Sequence, residues 1–233
     1  MTYKSKFSLK SFVITVLLLT VLLPQFGQSQ FNIKIGYAGA YAFAPKSNDL
    51  IQLYNTQNQA ILNEKMSSFH WLHGIDMGLR YRFNPVNIEI SWESKGNVLS
   101  SVELTNQTAT EKSLYYRMNS VSLGTEFQTG IIGFGATIEQ GFNKIETDLT
   151  GTTKRKQLAS SNPLNSKFFI SFHIPGTELM SFVIRPYISF QWNEALELND
   201  VAGYLNVFQA NDNEEKFRQI GLSFCFLNGK QSK

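Results

Sequence analysis

Hydrophobic and polar residues alternate with a period of two over most of the chain beyond residue 30. In residues 74–83 the apolar positions are Ile75, Met77, Leu79, Tyr81 and Phe83. A strand puts Asp76, Arg80 and Arg82 on its opposite face, whereas a helix would mix the two sets. Repeated alternation predicts eight strands, at residues 31–43, 69–83, 86–104, 114–128, 131–147, 166–175, 181–194 and 217–228.

The predicted connections alternate between short and long. Asn84-Pro85, Thr129-Gly130 and residues 175–180 form short turns. The long connections are residues 44–68, 105–113, 148–165 and 195–216. The first of these has apolar residues near helical spacing after Asn48 or Ser47, which predicts a helix within residues 48–66, and a short helical turn is expected at residues 201–205.

Ionised side chains lie opposite the apolar face in the middle of the predicted strands. They are Asp76, Arg80, Arg82, Glu89, Glu93, Glu126, Glu139 and Arg185. The interior of an eight-stranded barrel is narrow and filled by side chains, so these charges are expected to pair across it. Open strand edges in a membrane leave backbone groups without partners, so the first and last strands should pair. The predicted fold is all-β: a closed, antiparallel, up-and-down transmembrane β-barrel.

Residues 1–29 have the features of a cleaved signal peptide. Lys4, Lys6 and Lys10 precede an apolar run over residues 12–23, and Gly27 and Ser29 have the spacing that a signal peptidase accepts. The run is shorter than the ~20 residues that a spanning helix needs. We therefore expect residues 30–233 to form one exported domain.

The mature chain is electrically neutral. Removing the three leader lysines from 21 basic residues leaves 18, equal to the 18 acidic residues, so the composition gives no reason to expect nucleic-acid binding. The one cysteine, Cys225, excludes an intrachain disulfide and is expected to be a small inward-facing residue.

At this point the sequence resembles a family. The leader, the first strand with Gly-Tyr-Ala-Gly-Ala-Tyr and the final strand with Ile-Gly-Leu-Ser-Phe-Cys-Phe are similar to the small outer-membrane β-barrel proteins of Gram-negative bacteria. The helical first loop is similar to barrels common in Bacteroidetes. The resemblance covers the mature chain and implies the fold and an outer-membrane location, with long loops outside the cell, but little chemistry.

The inward charges allow two interpretations. They form either a packed network that plugs the barrel or a polar lumen that conducts small solutes, and eight strands favour the plug. Three arginines face five acidic residues in the predicted set, so a conducting version would favour cations.

Candidate catalytic and metal-binding residues give weak signals. His70 and His73 lie beside Trp71, Ser67 and Ser68, as an acyl-transferring enzyme could require, but no carboxylate is evident to orient either imidazole. On a strand these histidines face opposite ways, and His173 is remote, so no metal site is predicted. The acidic residues Asp212, Glu214 and Glu215 lack the spacing of a calcium loop. No cofactor is expected.

Lys154, Arg155 and Lys156 form a basic stretch in the third long loop. The stretch could bind lipopolysaccharide phosphates, or it could pair with the acidic last loop, and the sequence leaves both open. The favoured function is a non-enzymatic barrel with a structural or loop-mediated binding role. A narrow pore, a lipid-modifying enzyme and a subunit of an export or assembly machine are the alternatives.

Overall fold

The computed structural model describes residues 31–105, 108–149, 154–176, 180–207 and 213–228, so the predicted signal peptide lies outside the described residues. Their elements, in chain order, are β1 (Phe31–Phe43), α1 (Pro45–Gln57), β2 (Leu62–Glu64), β3 (Trp71–Phe83), β4 (Val86–Thr105), β5 (Thr108–Thr129), β6 (Ile132–Asp148), β7 (Arg155–Ser161), β8 (Leu164–Ile174), β9 (Met180–Gln191), β10 (Leu196–Glu197), α2 (Asn199–Leu205), β11 (Glu214–Glu215) and β12 (Arg218–Asn228).

Eight long antiparallel strands close into a ring. The ring order is β1, β3, β4, β5, β6, β8, β9 and β12, and β12 returns to pair with β1. The seam between first and last strands runs from Lys34 opposite Leu227 to Phe43 opposite Arg218. The predicted closed barrel and the pairing of its end strands are therefore confirmed. Among the described residues, no helix is long and apolar enough to cross a membrane.

Inward and outward positions alternate along each ring strand. On β3, for example, Ile75, Met77 and Leu79 are exposed on the outside, while Asp76 and Arg80 are buried inside. Comparable outward apolar side chains on the other ring strands form a band around the barrel. A continuous apolar outside around a charged inside is the arrangement of a barrel in lipid.

The prediction of a second long loop, at residues 105–113, is wrong. Strands β4 and β5 continue through most of residues 105–113 and pair as far as Thr105 opposite Thr108. The polar side chains there are typical of a loop, but they lie on a hairpin that projects beyond the apolar band, where outward polar groups meet water. Strand β7 likewise lengthens the wall by pairing with β6.

The first loop contains a helix with different bounds from those predicted. It spans Pro45–Gln57, with Pro45 in its first turn, and residues 62–64 form β2. Proline is favoured there because its fixed φ suits the first turn, and because an N–H at this position would have no acceptor within the helix. Asn48 does not cap the helix; its side chain bonds both backbone groups of Phe69. The helical turn predicted at residues 201–205 is confirmed as α2.

The two ends of the barrel differ. The end with the turns at residues 84–85 and 130–131 is called the turn end, and the end with α1, α2 and the β4–β5 hairpin is called the loop end. The loop end encloses a buried apolar cluster, named here the loop-end core. Its members include Leu50, Ile51, Tyr54, Phe69, Leu72, Leu99, Leu114, Tyr116, Ile145, Leu196, Leu198, Leu205 and Phe217.

Candidate functional site

The interior of the turn-end half contains a linked set of ion pairs. Arg185 on β9 bridges Glu89 and Glu126 at 2.8 and 3.0 Å. Lys34 on β1 binds Glu89 at 2.5 Å and Asp76 at 2.9 Å. Five strands are therefore connected through ionised groups that water hardly reaches, and each carboxylate has a cationic partner, as buried charge requires.

A second set lies closer to the loop end. Lys167 on β8 binds Glu93 at 3.0 Å and Glu139 at 2.7 Å, and Lys95 binds Glu93 at 2.5 Å. Lys95 also donates hydrogen bonds to the Tyr187 hydroxyl and to Gln219 on β12. Taken together, the two sets connect all eight ring strands, and we call them the lumen network.

The structure brings most of the predicted inward charges together. Arg80 lies 3.3 Å from Glu126, and Arg82 is buried further toward the turn end. The sequence prediction missed three lysines of the network, Lys34, Lys95 and Lys167. The signal was present, because each lies at an inward position by the same alternation. With the lysines included, six basic residues face five acidic ones, so the acidic excess on which the expected preference for cations depended is not present in the network.

Space inside the network is small. Two internal cavities among the charged residues have volumes of about 20 Å³ each. A volume of that size accommodates roughly one water molecule. Cys225 is fully buried near the network, with its Sγ 3.7 Å from a carboxylate oxygen of Asp76.

Ser171, His173 and Glu126 resemble a hydrolytic triad in composition but not in geometry. Nε2 of His173 lies 2.7 Å from Oε1 of Glu126, and the Ser171 hydroxyl lies 2.6 Å from the same oxygen. In a working triad the imidazole uses one nitrogen for the serine and the other for the carboxylate. Here Nε2 faces both groups, Nδ1 has no partner among the described residues, and Ser171 is fully buried. The arrangement therefore ties strands together and is closed to substrate.

The loop end is joined by a contact between the first and last loops. The buried carboxylate of Glu215 accepts a hydrogen bond of 2.8 Å from the backbone N–H of Ser47, in the first turn of α1. Burial raises the pKa of Glu215 to about 7, against the lowering effect of hydrogen bonds from Ser47 and Lys46. Across the same core, Tyr54 bonds to Ser101 and Glu103, and burial raises its pKa to about 12.

The predicted histidine and serine candidates do not form a site. The His70 ring stacks on Tyr41 with centroids 5.0 Å apart, and His73 faces outward. Ser67 and Ser68 are exposed, and no carboxylate pairs with either imidazole in the described part of the chain. Within those same residues no cluster of three metal-ligating side chains is found, and Asp212 lies outside them.

The basic stretch starts the short strand β7. The Arg155 guanidinium lies 3.7 Å from the centre of the Tyr115 ring and pairs with Asp148 on β6 at 3.7 Å. Lys156 is exposed opposite Thr147, and Lys154 precedes the strand. Arg155 therefore pairs with the neighbouring strand, while Glu215 of the last loop binds α1.

The closed ring of eight antiparallel strands has charged side chains inside and an apolar band outside. This combination defines the fold as that of small outer-membrane β-barrels. No protein-family model matches the sequence, and no curated protein matches it significantly.

Solved structures with a similar fold come from Gram-negative bacteria. Ail, the attachment invasion locus protein of Yersinia pestis, in complex with the heparin analogue sucrose octasulfate, is 14% identical, with 84% of this chain and 97% of that chain covered and a TM-score of 0.43. Neisserial surface protein A is 13% identical, with 85% of this chain and 96% of that chain covered and a TM-score of 0.44. The outer membrane protease OmpT from Escherichia coli is 6% identical, with 87% of this chain and 97% of that chain covered and a TM-score of 0.36. At such identities the likeness concerns the fold and transfers no activity.

Proposed function

We propose that this protein is a closed, non-conducting and non-enzymatic barrel of the bacterial outer membrane, with a structural or binding role at its loop end. The observation that carries the proposal is the lumen network. It links all eight ring strands and leaves cavities of about 20 Å³, which is far less than a continuous water path requires. The loop-end core closes the same interior a second time with apolar side chains.

The proposed orientation has the turn end in the periplasm and the loop end outside the cell. Short periplasmic turns and longer external connections are the rule for such barrels. Export through cleavage of residues 1–29 is part of this proposal, as is a Bacteroidetes-like origin, which the helix in the first loop supports. No surface of the described residues indicates a protein partner, so membership of an export or assembly machine is not part of this proposal.

Conductance of the purified protein in planar lipid bilayers tests the closed lumen. We expect little or no steady current from protein whose folding is confirmed by heat-dependent mobility in electrophoresis. A known general porin, inserted under the same conditions, serves as the positive control. Large and stable single-channel steps from the folded protein would contradict the proposal and favour the pore.

Lipid analysis tests the absence of enzymatic activity. Ser67 and Ser68 are exposed, and no carboxylate among the described residues pairs with His70 or His73, so the arrangement that activates a nucleophile is not found there. We expect thin-layer chromatography to give the same acylation pattern for outer-membrane lipids with and without the protein. A changed pattern that is lost in a His70→Ala variant would support the lipid-modifying enzyme instead.

A binding role for Lys154, Arg155 and Lys156 toward lipopolysaccharide remains part of the proposal. Exposure of Arg155 and Lys156 supports it, while the pairing of Arg155 with Asp148 reduces the charge that is available. Binding of lipid A should fall when all three residues are changed to Ser. Unchanged binding would leave this stretch without a role in lipid recognition.

A further inference from the structure

Two cations lie directly opposite each other on the outside of the barrel, without an anionic partner. Arg117 on β5 is the cross-strand neighbour of Lys144 on β6, and both side chains are exposed. Like charges at directly opposite positions destabilise a sheet. In the part of the chain that the structure describes, neither residue forms an ion pair with a carboxylate. The pair therefore carries two positive charges that no carboxylate among the described residues neutralises.

A groove opens beside Arg117 on the same outer surface, with a volume of about 510 Å³. Gly96, the neighbour of Arg117 on β4, has no side chain and leaves the floor of the groove open. Arg155, stacked on Tyr115, borders one side, and His73, opposite Gly96, borders another. The residues that line the groove are His73, Ser94, Lys95, Gly96, Asn97, Val98, Tyr115, Tyr116, Arg117 and Arg155, and none of them is acidic.

The groove lies just beyond the apolar band. Outward positions on β4 are apolar from Val86 to Trp92, and β5 carries Val121, Leu123 and Phe127 outward. On β6, Phe142 occupies the outward position before that of Lys144. Side chains at this level of a membrane barrel meet lipid headgroups. The groove opens sideways toward lipid and away from the sealed lumen, so a lipid-borne anion reaches it more readily than a free solute.

We propose that Arg117 and Lys144, with Arg155 and the groove over Gly96, bind a phosphate group of a phosphorylated glycolipid of the lipid A type in the outer leaflet. A phosphate between the two cations removes their repulsion and accepts charge-assisted hydrogen bonds from the arginine. The glycolipid sugar occupies the groove, beside the stacked Arg155 and Tyr115 side chains. This inference rests on the proposed outer-membrane location, and it moves the main lipid contact from Lys154 and Lys156 to the wall of the barrel.

Native mass spectrometry of the full protein in detergent, titrated with bisphosphorylated lipid A, tests the site. The unmodified protein should retain lipid A, and the Arg117→Gln, Lys144→Gln double variant should bind it at least tenfold more weakly. The matched control is Arg218→Gln. Arg218 is also an exposed arginine at an outward position, but its cross-strand neighbours are Phe43 and Phe190, so binding should be unchanged.

Three further arms decide the source and position of the anion. Dephosphorylated lipid A should bind at least tenfold more weakly, and millimolar inorganic phosphate should not displace lipid A; displacement would indicate a general anion site and overturn the lipid assignment. A Lys154→Gln, Lys156→Gln double variant should lose much less affinity than the Arg117 and Lys144 variant; an equal or larger loss would overturn the position.

Equal binding by the unmodified protein and the Arg117 and Lys144 variant would also overturn the site. Heat-dependent mobility verifies that each variant is folded. Because conductance and heat-dependent mobility are measured separately, loss of lipid A binding leaves the closed-barrel proposal intact, and failure of the barrel proposal is recognisable on its own.

Discussion

The barrel has two halves with opposite interiors. Around the apolar band, the outside is apolar and the inside is a network of ion pairs. At the loop end, inward positions of the same strands carry apolar side chains, as in a water-soluble protein. Strand β4 passes from one half to the other without changing its alternation: Glu89, Glu93 and Lys95 face inward first, and Leu99 follows on the same face.

The difference shows that the surrounding solvent decides what an interior needs. Where lipid covers the outside, apolar side chains gain nothing from moving inward, and the interior can hold charges that compensate one another. Where water covers the outside, apolar burial provides the driving force. The two halves should therefore respond differently to the same kind of substitution.

The largest effect is expected from breaking the lumen network at Arg185. Changing Arg185→Leu removes a shared partner of Glu89 and Glu126 and leaves buried negative charge, at a cost of about 3–5 kcal/mol. Urea unfolding in lipid vesicles measures the loss. The exposed Arg218→Leu should change stability by no more than about 0.5 kcal/mol. Equal, small effects of both would mean that the network does not hold the strands together.

Two leucines of one strand compare the halves directly. Leu114 on β5 is fully buried in the loop-end core, whereas Leu123 on the same strand is 58% exposed toward the apolar band. Leu114→Ala should cost about 2–5 kcal/mol through lost burial and a cavity. Leu123→Ala should cost about 1 kcal/mol or less, because lipid fills the space. Similar losses in the same unfolding measurement would argue against two distinct environments.

The smallest effect concerns pH at the loop end. The pKa of Glu215 is raised to about 7 from an ordinary 4.5, so between those values the folded loop end binds a proton that the unfolded chain has released. This stabilisation is complete below pH 4.5 and is lost as pH rises through 7. Protease cleavage within α1 should therefore accelerate with pH in that window, by at most about tenfold per pH unit.

A Glu215→Gln variant should remove most of that acceleration, after correction for the pH profile of the protease on an unfolded substrate. The neighbouring, exposed Glu214→Gln is the matched control and should keep it. An acceleration that persists in Glu215→Gln would assign the pH response to another group.

Strand alternation predicted the ring because each face of a strand meets one environment along the apolar band. The same rule locates Lys34, Lys95 and Lys167 on the inward face, although the predicted set of inward charges contained only arginines and acidic residues. The β4–β5 hairpin beyond the band was not predictable in this way, since both of its sides include polar residues. The start of α1 was misjudged because Asn48 has the composition of a cap but bonds Phe69 instead.

The cation pair of the outer groove could not be found from the sequence alone. Arg117 and Lys144 are 27 positions apart, and only the register of β5 against β6 makes them neighbours. The hydrogen bond from the Ser47 backbone N–H to the Glu215 carboxylate was equally out of reach, because a contact between the first and last loops depends on ring closure. Local patterns predict which face a residue occupies, while pairing across strands decides which charges meet.

The seam between β1 and β12 constrains the order of assembly. Until β12 has been synthesised and exported, the edge of β1 has no partner, and no subset of the strands can close a ring. Backbone groups at such an edge cannot be left in hydrocarbon, so insertion must follow completion of the ring or proceed beside a foreign strand that shields the edge. The strand that closes the ring comes last among the ring strands in chain order, so pairing of the wall is complete only when all eight are in place.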